Sequence, residues 1–157
     1  MKIFSKGINL VSNLSGSSYL LEIENLAKHY KYVVVLVDNN HQVDSLFDEL
    51  NNIYNDKVIL KFPNYGVANY SSSSIDQDVI KERLKCLIQI KDDSESNKII
   101  IGTYKSIFSK TPSIEEASKS WCSISKNSKY IEILNLLKKY EYKKVTKVDE
   151  RGQYRLA

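Results

Sequence analysis

A parallel-sheet α/β/α domain followed by a smaller α+β unit is the fold this sequence predicts. Three observations predict it. The runs Tyr32-Val33-Val34-Val35-Leu36-Val37 and Lys98-Ile99-Ile100-Ile101-Gly102 are β-branched and nearly continuous, as suits strands buried on both faces of a parallel sheet. Helical periodicity separates the strands, which argues for βαβ units. After about residue 106 the order changes to strand, helix and hairpin. We therefore read residues 1–106 as the α/β domain and 107–157 as the start of an α+β domain.

In chain order, Ile8-Asn9-Leu10-Val11 reads as a short strand. Gly16-Ser17-Ser18 reads as a turn whose serines cap a helix running to about His29. Asp38-Asn39-Asn40 turns the chain into a second helix, with Val43, Leu46, Phe47 and Leu50 on one face. The next strand is 57–62, closed by Pro63. A helix from Ile75 to about Lys91, capped by Ser74 or Asp76, places Ile80, Leu84, Leu87 and Ile88 at helical spacing. Residues 92–97 form a polar loop, and 109–120 read as polar and irregular. Trp121-Cys122-Ser123-Ile124 suggests a short strand, and 129–140 an amphipathic helix. Residues 142–148 and 153–156 read as two strands joined by a tight turn at Arg151-Gly152.

The chain has 157 residues, 42% hydrophobic and 27% charged, within the range of a globular protein. No apolar run approaches the roughly 20 residues of a membrane span, and the N-terminus carries no signal-peptide pattern. The expected location is cytoplasmic, with no membrane partner. Cys86 and Cys122 read as two buried thiols. Two cysteines and two histidines without close spacing make no metal site. The net charge of +4 is uneven: residues 1–109 carry 12 Lys+Arg against 13 Asp+Glu, and residues 110–157 carry 11 against 6. That asymmetry points to an acidic partner for the C-terminal third or to a solvated lysine-rich face.

Tests for catalysis give nothing. A phosphate loop after the first strand needs glycines, a lysine for the phosphate oxygens and a Ser/Thr for magnesium. The matching stretch, 12–19, keeps Gly16, Ser17 and Ser18 but has no lysine, so it is a degenerate phosphate loop. His29 and His41 lack a nucleophile-elbow setting, and no carboxylate pair is marked for acid/base work. No catalytic residue is expected, nor any cofactor. Tyr65 and Tyr70 could stack on bases, but no basic residue lies between Phe62 and Lys81 to meet phosphate.

Three stretches resemble a known family. Phe62-Pro63-Asn64-Tyr65 through Tyr70, followed by 75–87 with Arg83-Leu84 and Leu87, is similar to a segment near the N-terminus of bacterial transcription-repair coupling factors, the Mfd family. The run 99–107 is similar to that family's strand-to-helix junction. Tyr142, Val145, Val148, Asp149, Gly152, Gln153 and Tyr154 are similar to its "GY-x-x-V-x-x-V-x-x-x-GEYAxRG" segment.

That family region itself resembles the nuclease subunit UvrB, with the phosphate loop lost and the DNA-clamping β-hairpin absent. Only a few residues separate Tyr70 from the helix at Ile75. The resemblance implies a non-catalytic scaffold whose α+β unit docks the damage-recognition ATPase UvrA in nucleotide excision repair. It implies further that this surface is held by the family's own C-terminal domain at rest. RNA polymerase, DNA and ATP would be handled by later domains of an ATP-dependent translocase. By position, Arg155 and Lys144 stand where UvrB has UvrA-binding arginines, and Ala157 where the family has a later one. Arg151 and Tyr154 complete the implied contact set. The family continues past this point with an apolar strand, so the α+β unit reads as truncated. Two alternatives remain open from the residues alone: a nucleotide-dependent, helicase-like ATPase half, and a basic DNA-binding module.

Overall fold

The computed structural model describes residues 7–12, 14–54, 58–66, 76–92, 96–122, 124 and 127–156. Tyr70, the serines at 71–74 and Ala157 lie outside the described residues. The chain divides into two compact units, 1–120 and 121–157. The division falls later than the boundary read near residue 107, because the segment after the third strand stays with the first unit.

The first unit is α/β. Its elements run α1 (Ser18–His29), β1 (Tyr32–Val37), α2 (Asn40–Ile53), β2 (Val58–Phe62), α3 (Gln77–Lys91), β3 (Lys98–Thr103), α4 (Tyr104–Phe108) and α5 (Ile114–Lys119). The three strands are parallel in the order β1-β3-β2. β3, last in the chain, therefore lies in the middle. Asn39 caps α2 by accepting from the Gln42 N–H (3.0 Å), and Asp76 caps α3 by accepting from the Asp78 N–H (2.9 Å). Ser17 precedes α1 without making a side-chain cap.

One face of the sheet carries the main core. Leu20, Ile23 and Ala27 of α1 and Val43, Leu46 and Leu50 of α2 pack on Val33, Ile59, Ile99 and Ile101. Tyr54 closes this layer: its hydroxyl hydrogen-bonds the Glu24 carboxylate (3.2 Å), and burial followed by the Glu24 charge raises its pKa. α3 packs over β2 on the opposite face, and α5 packs on α3.

Burial on both faces, expected for the runs 32–37 and 98–102, holds for β3 and fails for β1. Val34 is 54% exposed and Leu36 51%. The reason is topological: β1 is an edge strand, and α3 covers β2 instead. The strand expected at 8–11 is also absent. Residues 7–12 make no ladder, and Ile8 and Leu10 project into solvent.

The stretch 109–120 is not irregular throughout. Ser113 and Glu116 form a reciprocal capping box that starts α5: the Ser113 hydroxyl accepts from the Glu116 N–H (3.2 Å), and the Glu116 carboxylate accepts from the Ser113 N–H (2.8 Å). That backbone hydrogen bond, above all, lowers the Glu116 pKa.

The second unit holds α6 (Tyr130–Lys139), β4 (Lys143–Lys144) and β5 (Gln153–Tyr154). Trp121, Cys122 and Ile124 are not in a strand. β4 and β5 are parallel, so they do not form the expected hairpin, although the turn expected at Arg151-Gly152 is present and leads into β5. Among the described residues of 121–157 none is buried.

The thiols part company. Cys86 is buried on α3, whereas Cys122, expected to be buried, is exposed. Burial pushes the Cys86 pKa up to about 12, which suppresses its thiolate. A thiol-disulfide reagent such as Ellman's is expected to modify Cys122 in the native chain at once and Cys86 only after denaturation. Prompt native titration of both thiols would contradict this packing.

Candidate partner-docking site

The residues that carry the family resemblance in the first unit converge on one side chain. Arg83 is 1% exposed. Its guanidinium lies 4.0 Å from the ring centroid of Phe62 and 4.3 Å from that of Tyr65, within cation–π range. Nη1 donates to the Pro63 carbonyl (2.9 Å) and the Ser106 carbonyl (3.3 Å). Nη2 donates to the Ser106 carbonyl (3.3 Å), the Ser109 hydroxyl (2.9 Å) and the Thr111 hydroxyl. Burial lowers its pKa. The Phe-Pro-x-Tyr run after β2, the Arg-Leu pair on α3 and the junction after β3 thus form one knot at the carboxyl end of the sheet. Tyr65, weighed as a base-stacking aromatic, is engaged by this arginine instead. Nearby, Asn40 and Asn64 tie α2 to the end of β2 through reciprocal amide hydrogen bonds of 2.7 and 2.8 Å.

The expected contact residues lie in the second unit. In the β4–β5 register Lys144 is the partner of Tyr154, and the Val145 N–H donates to the Tyr154 carbonyl (2.9 Å). Paired residues of parallel strands share a face, so Lys144 and Tyr154 stand side by side, with Arg155 next along the chain. Lys144, Arg151 and Arg155 are exposed and Tyr154 is half-buried. The pairing brings the two halves of the resembling segment together. Residues 121–157 carry nine Lys+Arg against four Asp+Glu, so the unit has a net positive charge. The turn after Arg151 uses Gly152 at φ 84°, and the Lys143 N–H donates to the Gly152 carbonyl (2.8 Å).

The exit from α6 orients this segment. The Tyr142 N–H donates to the Leu137 carbonyl (2.9 Å) and the Glu141 N–H to the Lys138 carbonyl (3.1 Å). This is the Schellman pattern, which wants glycine at its left-handed position. Glu141 occupies that position at φ 58°. Glu141→Gly is expected to stabilise the second unit by about 1 kcal/mol, seen as slower amide exchange in the last turn of α6. Unchanged or faster exchange would show that the glutamate carries no strain.

The other sequence candidates remain dispersed. Gly16 sits at φ 54° in an exposed turn before α1. The Ser18 N–H donates to the Ser15 carbonyl (3.2 Å), and the Ser18 hydroxyl is buried without a partner among the described residues. His29 and His41 are exposed. Among the described residues no group of three or more His, Cys, Asp or Glu is placed to hold a metal ion. No described helix is long and apolar enough to cross a membrane. No protein-family model matches the chain, and no curated protein sequence matches it.

The residue that sequence reasoning passed over is Arg83. It lay inside a quoted motif, but its spacing carried no sign of burial. The capping box of α5 was legible as Ser113-x-x-Glu116 and was hidden only by the shortness of the helix.

Proposed function

We propose that the chain is a non-catalytic docking scaffold of the transcription-repair coupling type, whose basic second unit engages UvrA. The observation that carries this reading is the β4–β5 pairing, which sets Lys144 beside Tyr154 and Arg155 on a unit of net positive charge. Arginine pairs carboxylates bidentately, and lysine supplies a point charge. An acidic surface patch on the partner is the chemical counterpart.

Calorimetry of the 157-residue chain with purified UvrA tests the proposal. Binding is expected, and Arg155→Ala and Lys144→Ala should each weaken it about tenfold, the loss of one charge-assisted contact. A folded chain that does not bind UvrA, or variants that bind as tightly as the parent, would remove the proposal. Steeply salt-dependent binding to duplex DNA would favour a basic nucleic-acid module instead.

A further inference from the structure

We infer that Gln153 is a positioning residue of the docking face: its side-chain amide draws the Glu150 carboxylate to the back of the β4–β5 pair, so that Lys144 and Tyr154 meet an acidic partner without a competing anion. The inference rests on the docking reading and deepens it, by naming what keeps that face free of the chain's own carboxylates.

The loop between the two strands, 145–152, carries Asp149 and Glu150 a few residues from the cations that would receive the partner. Left loose, either carboxylate could pair with Lys144 in the partner's place. Both are engaged. The Asp149 carboxylate lies 3.0 Å from the Lys147 ammonium, an exposed pair that contributes little. The Glu150 carboxylate accepts from the Gln153 amide nitrogen (2.9 Å), and the Asp149 N–H donates to the Gln153 amide oxygen (3.1 Å). One amide thus spends its donor and its acceptor together, on neighbouring residues of the loop. A carboxylate at 153 could only accept and an ammonium only donate, so neither could make both contacts.

Alternation along the strand gives the bridge its direction. Successive strand residues face opposite sides, and partners in a parallel register share a side. Tyr154 therefore shares a side with Lys144, and Gln153 shares the other with Lys143. A carboxylate hydrogen-bonded to Gln153 is held towards that other side. Gly152, at φ 84°, makes the turn that brings 150 and 153 together.

The probe is a capped, fluorescein-labelled hexaglutamate peptide, read by anisotropy against the full chain at low ionic strength. Saturable binding is expected, weakened by Lys144→Ala. Gln153→Ala should weaken it about threefold, the effect of one freed surface carboxylate. The same variant should speed exchange of the Asp149 amide about fivefold through loss of its hydrogen bond, while the ladder-bonded Val145 amide stays as protected as in the parent. In a Glu150→Ala background, Gln153→Ala should no longer change the affinity. A merely structural role would weaken binding equally in both backgrounds and loosen Val145 as well, and either result overturns the inference. So does a Gln153→Ala chain with unchanged affinity or unchanged Asp149 exchange. Should Gln153→Ala misfold, a swap decides: Gln153→Glu should weaken binding, and adding Glu150→Gln should restore it, because amide and carboxylate then trade places. Failure to restore overturns the inference. A parent chain that does not take up hexaglutamate overturns it together with the acidic partner, whereas Glu150-dependent hexaglutamate binding without UvrA binding removes UvrA alone and upholds the role of Gln153.

Discussion

Arg83→Met is expected to lower the stability of residues 1–120 by about 3 kcal/mol or more, since hydrogen bonds to a charged donor contribute about 1.5–3 kcal/mol each and the substitution orphans buried acceptors. The Pro63 and Ser106 carbonyls and the Ser109 and Thr111 hydroxyls all receive protons from this one guanidinium. Methionine fills much of the space between Phe62 and Tyr65 but donates nothing. Arg83→Lys keeps the charge, yet a single ammonium cannot span acceptors arrayed around a planar fork or stack on both rings. It should recover only part of the loss. Urea denaturation followed by circular dichroism measures both, with Lys85→Met on the exposed side of α3 as control, expected within about 0.5 kcal/mol of the parent. A loss at position 83 no larger than the control's would mean that the knot is ornamental.

Gly102→Ala should destabilise the same unit by about 1–3 kcal/mol, the usual range for overpacking. A β-carbon there would stand 2.9 Å from the Phe62 carbonyl oxygen and 2.9 Å from the Ser106 Oγ. Neither neighbour can retreat cheaply. The first is backbone inside the β2–β3 ladder. The second accepts from the Thr103 N–H (3.0 Å) and donates to the Thr103 carbonyl (2.7 Å), so it holds the start of α4. Adding Ser106→Ala removes one of the two clashes along with the cap, so the double variant should be less destabilised than the two single effects added. Strict additivity, or a Gly102→Ala chain as stable as the parent, would contradict the close approach.

The α/β character, the positions of β1, β2 and β3 and the helices between them were legible because burial imposes period and composition. Val43, Leu46 and Leu50 sit on the buried face of α2 as their spacing requires. Strand order was not legible: nothing in Tyr32–Val37 states that it lies at an edge, so its uncovered face could only appear in three dimensions. The β4–β5 pair was read as antiparallel because Arg151-Gly152 resembles a turn. The chain instead brings 153–154 alongside 143–144 in the same direction. The exposed residues Lys144, Arg151 and Arg155 stood out through resemblance alone, because a surface charge leaves no periodic trace. Arg83 was missed for the converse reason. Arginine is rarely buried, and its acceptors are spread over 63–111, beyond any local pattern.

The place of β3 bears on the order in which the molecule can assemble. β1 and β2 are made first, yet neither touches the other across the sheet; each acquires its ladder from 98–103. Helix turns can form early from local contacts, but the sheet has no partial form with two strands until its middle member emerges. The acceptors of Arg83 at 106–111 arrive later still. During synthesis the first ninety or so residues therefore wait as helices and unpaired extended segments, and the sheet closes in one concerted step of high contact order. The rate-limiting step of refolding is expected to be that insertion. Destabilising substitutions confined to β3 should slow folding, whereas those at the outer surface of α1 should chiefly hasten unfolding.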